Sequence, residues 1–132
     1  MIVGIGVDVL DVARMEREAA RDRGFLEQVF TPAEIGYCES RPHRAQHYAA
    51  RFAVKEAVFK ALETGRRDGA SWHEVEVARE PDGRGRVVLH GRLKAAAARL
   101  GVLRIHVSIS TTDAQAVANV VLESGEVPRG DV

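Results

Sequence analysis

The sequence predicts an α+β fold in which an antiparallel sheet is packed by helices. Two patterns support this class. Segments of alternating or continuous apolar residues, typical of strands, lie near both ends of the chain and on either side of a Pro81-Asp82-Gly83 turn. Elsewhere apolar residues recur at helical spacing, most clearly at Ala49, Ala53, Ala57 and Ala61.

In chain order, the pattern predicts a buried strand over 2–9, a helix over 12–22, a short helix over 32–40 and the longest helix over 44–63. A hairpin of strands 74–78 and 86–90 follows, then a helix over 91–100 and strands over 104–110 and 116–123. We expect Asp11 to cap the first helix and Gly24 to end it. Thr31 and Glu34 have the spacing of a capping box for the second helix.

Length and composition restrict the kind of protein. The 132 residues fit one domain, placed at 1–124, with a flexible tail at 125–132. Because 19 basic residues balance 19 acidic ones, a general nucleic-acid or membrane-surface binder is disfavoured. The single cysteine, Cys38, excludes a disulfide framework within the chain and favours a reduced, cytoplasmic protein. We expect neither a signal peptide nor a membrane-spanning segment.

Three segments carry polar groups that core packing does not require. Asp8 lies beside glycines at a strand end, where a turn or cap role is the alternative explanation. Glu56 and Lys60 are four apart on the longest helix and so share a face, although a solvated face with weak ion pairs would look the same. The segment 106–112 contains a histidine and four hydroxyl residues, and an exposed strand face is its alternative reading.

Together these segments predict a phosphate-binding site. Asp8 and Glu56 offer hard oxygen ligands of the kind that Mg²⁺ prefers, and nearby lysine and arginine supply positive charge. The sequence contains no zinc-ligand spacing, no GxxxxGK[ST] phosphate loop, no dinucleotide fingerprint and no serine-hydrolase motif.

The same segments carry a family resemblance. The stretch Gly4-Ile5-Gly6-Val7-Asp8, followed by Arg14, resembles the N-terminal motif of bacterial holo-acyl-carrier-protein synthases. The helix from Ala50 to Leu62 closely resembles the signature helix of that family, and residues 30–34 and 106–110 match its other motifs in order. The similarity covers residues 1 to 124 and implies a 4′-phosphopantetheinyl transferase-like fold.

The resemblance implies an activity and a site. The family transfers 4′-phosphopantetheine from coenzyme A to a serine of apo-acyl carrier protein and releases adenosine 3′,5′-bisphosphate. By resemblance, Asp8 and Glu56 would bind Mg²⁺, and Lys60 would hold phosphates and offset charge at the leaving oxygen. Either Lys55 or a metal-activated water would help to deprotonate the serine. The positions at which relatives contact coenzyme A correspond to Arg51, Gly65, His106 and Ser108.

The resemblance also implies partners. Acyl carrier proteins are acidic, and Arg14, Arg17 and Arg21 form a basic stripe on the first predicted helix, which in relatives meets the carrier protein. An ordinary solvated face is the alternative, since acidic residues are interspersed. Relatives of this size form homotrimers with active sites between protomers. Nucleic-acid and membrane partners are not expected.

The sequence departs from the family pattern after the fourth motif. Many relatives continue there with His and then Thr or Asp, whereas this chain has Thr111 and Thr112. The loop after the signature helix also has Glu63 where many relatives are richer in glycine. A catalytically impaired relative that binds coenzyme A or carrier protein without turnover is therefore the alternative hypothesis.

Overall fold

The computed structural model describes residues 1–63, 69–79 and 81–125. It contains five strands, five α-helices and one 3₁₀ turn in this part of the chain. In chain order these are β1 (Ile2–Asp11), α1 (Val12–Arg21), α2 (Arg23–Val29), α3 (Pro32–Glu39), α4 (Arg44–Leu62), the 3₁₀ turn (Trp72–Glu74), β2 (Val75–Arg79), β3 (Gly85–Leu89), α5 (Gly91–Arg99), β4 (Val102–Thr111) and β5 (Gln115–Ser124).

The strands form two antiparallel sheets. The larger has the order β1-β5-β4, so β5 lies in its centre, and β2 and β3 form a separate hairpin. In the larger sheet Asp8 lies opposite Ala118, and Ser108 lies opposite Asn119. The predicted α+β class with an antiparallel sheet packed by helices is confirmed, as is the hairpin.

Helix α4 lies directly on the inner face of β1 and β5. Gly4 and Gly6 make this close approach possible, because a Cβ atom at either position would collide with the carbonyl oxygen of Ala61 or Ala57. Ala53, Ala57 and Ala61 of α4 are buried, and they share one core cluster with the small and branched residues that β5 directs inward: Ala118, Val120 and Leu122. The packing therefore brings Lys60 of α4 against Val7 and Asp8 in the middle of β1.

The prediction that β1 is buried is wrong for one of its faces. Ile5 is 70% exposed, and Val7 and Val9 are about half exposed. The helices cover only the inner face of the three-stranded sheet, and successive side chains of a strand point to opposite faces. An apolar strip therefore remains open on the outer face, which we call the open sheet face: Ile5, Val7, Val9, Val117 and Val121, with Asn119 between them.

Of the predicted helix caps and ends, one is confirmed and two are not. The capping box is confirmed: Thr31 Oγ1 accepts from the Glu34 N–H, and Glu34 Oε1 accepts from the Thr31 N–H. Asp11 stands at the start of α1, but its side chain makes no capping hydrogen bond. Gly24 does not end that helix. Instead Asp22 separates α1 from α2, and its side chain accepts from the Gly24 N–H.

No helix in the described ranges is long and apolar enough to cross a membrane.

Candidate active site

A cleft of about 460 Å³ lies where β1, α1, α4 and the 3₁₀ turn meet. Asp8 comes to it from β1 and Glu56 from α4, although 47 residues separate them in sequence. Its walls mix these carboxylates with aromatic and apolar side chains, and the lining residues are Asp8, Val9, Leu10, Arg14, Met15, Glu18, Phe25, Phe52, Glu56 and Trp72. The two carboxylates that the sequence suggested as metal ligands thus share one cleft.

Lys60 stands at the edge of this cleft. Its Nζ lies 2.9 Å from Oδ1 of Asp8 and donates to the Val7 carbonyl oxygen at 3.0 Å. The Lys60 side chain is 56% exposed, whereas that of Asp8 is only 16% exposed. An ammonium group is therefore held against a largely shielded carboxylate while it stays accessible to an anionic ligand.

Glu56 lies one helical turn before Lys60 on α4. Its Oε1 accepts a hydrogen bond from the indole N–H of Trp72 at 3.1 Å. Across residues 1–63, 69–79 and 81–125, no group of three or more His, Cys, Asp or Glu side chains converges to hold a metal by itself. Two carboxylates suit Mg²⁺, because water and substrate phosphates usually complete its coordination shell.

Lys55 precedes Glu56 in sequence but points into the core. It is 0% exposed; its Nζ lies 2.8 Å from Glu34 Oε1 and donates to the carbonyl oxygens of Trp72 and Val75. Burial lowers the pKa of Lys55, and the Glu34 carboxylate opposes that shift. Because its three donor directions are taken up inside the protein, this ammonium has no path to a substrate hydroxyl. The expected role of Lys55 in deprotonating the serine is not supported by this geometry.

Arg51 lies in a second pocket, of about 450 Å³, on another side of α4. Arg51 and Glu56 are five positions apart on the helix, so their side chains point about 140° apart around its axis. Arg51 is 5% exposed, its guanidinium lies 4.3 Å from the Tyr37 ring centre, and one nitrogen donates to the His47 carbonyl oxygen at 3.4 Å. Nothing in the described part of the chain accepts a hydrogen bond from its buried Nε.

The second pocket is strongly basic. Arg41, Arg51 and Arg79 all place their guanidinium carbons 4.3 to 5.0 Å from the ring centre of Tyr37. Burial and the charges of these arginines lower the pKa of His47, which lines the same pocket. Arg84 lines it too, from the β2–β3 turn. Several cations beside one concave surface favour the binding of an anion there.

The hairpin arginines were missed from the sequence. Arg79 and Arg84 flank the Pro81-Asp82-Gly83 turn, and their basic character was visible there. What the sequence could not show is that the hairpin folds back beside Arg51, since this contact depends on tertiary packing.

His106 and Ser108 lie elsewhere. Both are exposed on the outer face of β4, and His106 Nε2 lies 2.9 Å from Glu123 Oε1. Because β5 separates β4 from β1 in the sheet, a single chain does not bring these two residues to the cleft of Asp8 and Glu56. Gly65, the remaining expected contact to coenzyme A, lies outside the described residues.

The basic stripe on α1 is exposed, as expected. Arg14 lines the cleft, Arg17 points to solvent, and Arg21 pairs with Glu18 at 2.7 Å. At the end of β4, Thr112 is one of the two residues that differ from the family pattern. It has a local structural role, because its Oγ1 accepts hydrogen bonds from two backbone N–H groups of the β4–β5 turn.

Comparison with known proteins identifies the superfamily to which this chain belongs. The family model described as the 4′-phosphopantetheinyl transferase superfamily matches residues 4–120. The chain therefore belongs to the 4′-phosphopantetheinyl transferase superfamily, and it is an enzyme of the transferase class.

Within that superfamily, the similar proteins are of one type. The chain is 48% identical to a holo-[acyl-carrier-protein] synthase of Koribacter versatilis, with 93% of this chain and 99% of the relative covered. It is 42% identical to the enzyme of the same name from Geotalea daltonii, with the same coverage of both chains. The suspected holo-acyl-carrier-protein synthase type is confirmed.

Solved structures agree with the sequence relatives. The crystal structure of a holo-(acyl-carrier-protein) synthase from Bacillus anthracis in complex with CoA (3′,5′-ADP) has a TM-score of 0.79 at 31% identity, covering 95% of this chain and 99% of that one. The holo-[acyl-carrier-protein] synthase of Neisseria meningitidis has a TM-score of 0.85 at 28% identity, covering 94% and 100%.

Proposed function

We propose that this protein transfers 4′-phosphopantetheine from coenzyme A to a serine of apo-acyl carrier protein. The serine oxygen bonds to the phosphorus that carries pantetheine, the pyrophosphate P–O bond breaks, and adenosine 3′,5′-bisphosphate leaves. The observation that carries the proposal is the meeting of Asp8, Glu56 and Lys60 in and beside one cleft. Family membership and the similarity to holo-acyl-carrier-protein synthases support it.

The donor set fits magnesium, with Asp8 and Glu56 as its protein ligands. Bound there, Mg²⁺ would neutralise charge on the pyrophosphate and stabilise the leaving bisphosphate. The exposed ammonium of Lys60 would turn from Asp8 to the phosphate oxygens as the substrate enters. The protein's task is chiefly alignment and charge neutralisation, as phosphoryl transfer requires.

We place a phosphate group of coenzyme A in the second pocket. The unpartnered buried Nε of Arg51 and the surrounding guanidinium groups support an anionic ligand there. Arg79 and Arg84 line the same pocket and would add to its positive electrostatic potential. His106 and Ser108 remain proposed contacts to coenzyme A, and they need a neighbouring protomer to meet it.

A homotrimer would account for the separation of these groups. One chain distributes the proposed contacts over the cleft, the second pocket and the outer face of β4. The open sheet face is apolar and adjoins Lys60 and Gly6 of the cleft edge. Large exposed apolar patches mark interaction surfaces. Packing this face against a second copy would cover it and bring Lys60 of one protomer near residues of the next.

The carrier protein would dock on α1. Arg14 lies at the mouth of the cleft, and Arg17 lies on the same exposed surface. An acidic helix placed there would bring its serine towards Asp8 and Glu56. Such docking weakens as salt concentration rises. The free thiol of Cys38 and the expected substrates favour a cytoplasmic location.

The alternative of a non-catalytic binder has little left to support it. It depended on Thr111 and Thr112, and Thr112 has a structural role in the turn. Thr111 lines the second pocket, where its hydroxyl would offer a donor to an anion.

The activity is tested by mass spectrometry of an apo carrier protein incubated with coenzyme A and Mg²⁺, with and without EDTA. A gain of the phosphopantetheine mass that EDTA abolishes is expected. Asp8→Ala and Glu56→Ala should abolish the gain while circular dichroism stays unchanged. Unchanged carrier protein, across several carriers and with folded enzyme, would refute the proposed activity. Binding of coenzyme A without product would instead support the non-catalytic alternative.

The assembly is tested separately by light scattering after gel filtration. Val7→Asp places a charge in the open sheet face and should convert the expected trimer to monomer with loss of activity. Leu100→Asp changes an exposed apolar residue at the end of α5 and serves as the matched control. A wild-type monomer that is fully active would rule out the shared site.

A further inference from the structure

Trp72 connects the buried framework of the protein to the proposed metal ligand Glu56. Its backbone is held in the 3₁₀ turn: the carbonyl oxygen accepts from the buried Lys55 at 3.0 Å and from the Val75 N–H, and a capping box joins Ser71 to Glu74 on either side. Its ring packs against Phe52 with centroids 5.7 Å apart. The indole therefore has a defined position at the cleft wall.

The indole N–H is directed at one oxygen of Glu56. The distance from Nε1 to Oε1 is 3.1 Å, and the Glu56 carboxylate receives no other hydrogen bond from the described residues. The terminal torsion of a glutamate is broad, so an unheld carboxylate samples many orientations. One fixed oxygen restricts that rotation and leaves Oε2 available to the cleft.

We propose that Trp72 is a positioning residue, which orients the Glu56 carboxylate through its indole N–H so that it receives the divalent cation. The inference rests on the proposed function. It assigns Trp72 no contact with the reacting atoms. Outer hydrogen bonds of this kind set ligand orientation, and their loss typically costs about 10- to 100-fold in metal affinity or activity.

The variant that isolates the N–H is Trp72→Phe, which keeps an aromatic ring against Phe52. Binding of Mn²⁺, an EPR-active substitute for Mg²⁺, is measured from the loss of the free-ion signal and needs no turnover. We expect Trp72→Phe to weaken Mn²⁺ binding by about 10-fold. The Mg²⁺ concentration for half-maximal activity should rise in parallel.

A control variant separates this effect from general loosening of the turn. His73→Ala removes a contact from the same 3₁₀ turn, in which His73 Nε2 meets the Glu27 carbonyl oxygen, without touching the indole. It should bind Mn²⁺ as the wild type does. Equal weakening in both variants, or unchanged binding in Trp72→Phe, would overturn the inference.

A measurement on the intact chain covers the case in which Trp72→Phe does not fold. Trp72 is the only tryptophan, so a ¹⁵N-labelled protein gives one indole cross-peak. That peak should shift when Mg²⁺ is added and should not shift in Glu56→Gln. An indole peak whose position is unaffected by Mg²⁺ in both the wild type and Glu56→Gln contradicts the proposal. Failure of the wild type to modify any carrier protein, with the Mn²⁺ results intact, would count against the proposed function alone.

Discussion

Replacement of Lys55 by methionine should destabilise the protein severely, because it breaks a fully buried ion pair. The change removes the partner of the Glu34 carboxylate, which is itself only 2% exposed, and takes one hydrogen-bond donor away from each of the carbonyl oxygens of Trp72 and Val75. Removal of one member of a buried pair typically costs about 3–5 kcal/mol. The free energy of unfolding of a domain is only about 5–15 kcal/mol.

A double-mutant cycle measures how much of the lost stability comes from the interaction between Lys55 and Glu34. In Lys55→Met with Glu34→Gln, both charges are absent, and an amide oxygen still accepts one of the backbone N–H groups of Thr31 and Val77. The double variant should therefore cost less than the sum of the single variants, by about 1–3 kcal/mol. Urea denaturation followed by circular dichroism at constant pH measures all four proteins. Additive costs, or a Lys55→Met cost below about 1 kcal/mol, would refute the buried pair.

Amine labelling tests the same point without a mutation. In the native protein an amine-reactive reagent should modify the exposed Lys60 and spare Lys55. Peptide mass spectrometry locates the label. Fast native labelling of Lys55 would mean that its ammonium reaches solvent, and its earlier expected role as the serine's base would return.

Gly6→Ala should lower the free energy of unfolding by about 1–3 kcal/mol or more in urea denaturation, because α4 contacts the β1 backbone at Gly6. Gly36→Ala should raise it by up to about 1 kcal/mol, because Gly36 lies inside α3 and a Cβ atom there would meet nothing within 4 Å. Equal effects would contradict the close packing. Burial raises the pKa of the Cys38 thiol to about 11. The unfolded chain therefore loses this proton first, and between about pH 9 and 11 the wild type should lose about 2–3 kcal/mol of stability that Cys38→Ala does not lose. Burial and neighbouring arginines hold the pKa of His47 down, so a phosphate of coenzyme A bound beside them should raise it in an NMR titration; an unchanged value would argue against the second pocket as the phosphate site.

Much of the secondary structure was predictable because its signals are local. The capping box at Thr31 and Glu34, the turn at Asp82-Gly83 and the alanine spacing of α4 each depend on residues a few positions apart. The exposure of the outer face of β1 was predicted wrongly, because a continuous apolar strand has the same sequence pattern whether helices cover both of its faces or only one.

The candidate site was predictable to the level of residue type. Asp8, Glu56 and Lys60 were identified from motifs, and the structure brings them together. Lys55 stands in the same motif, but the helix turns it about 100° away from Glu56, into contact with Glu34. Arg79 was overlooked because only the folded hairpin brings it to Tyr37.

The amino-acid order alone identified the family, the helices and strands, and the acidic and basic groups available for phosphate chemistry, because motif, capping and periodicity are properties of neighbouring residues. Tertiary structure decided which of those charges meet. Two glycines let α4 settle on β1 and so place Glu56 and Lys60 beside Asp8, while burial diverts Lys55 into the core. Such contacts join residues tens of positions apart, and their energies depend on solvent exclusion that exists only after the chain has packed.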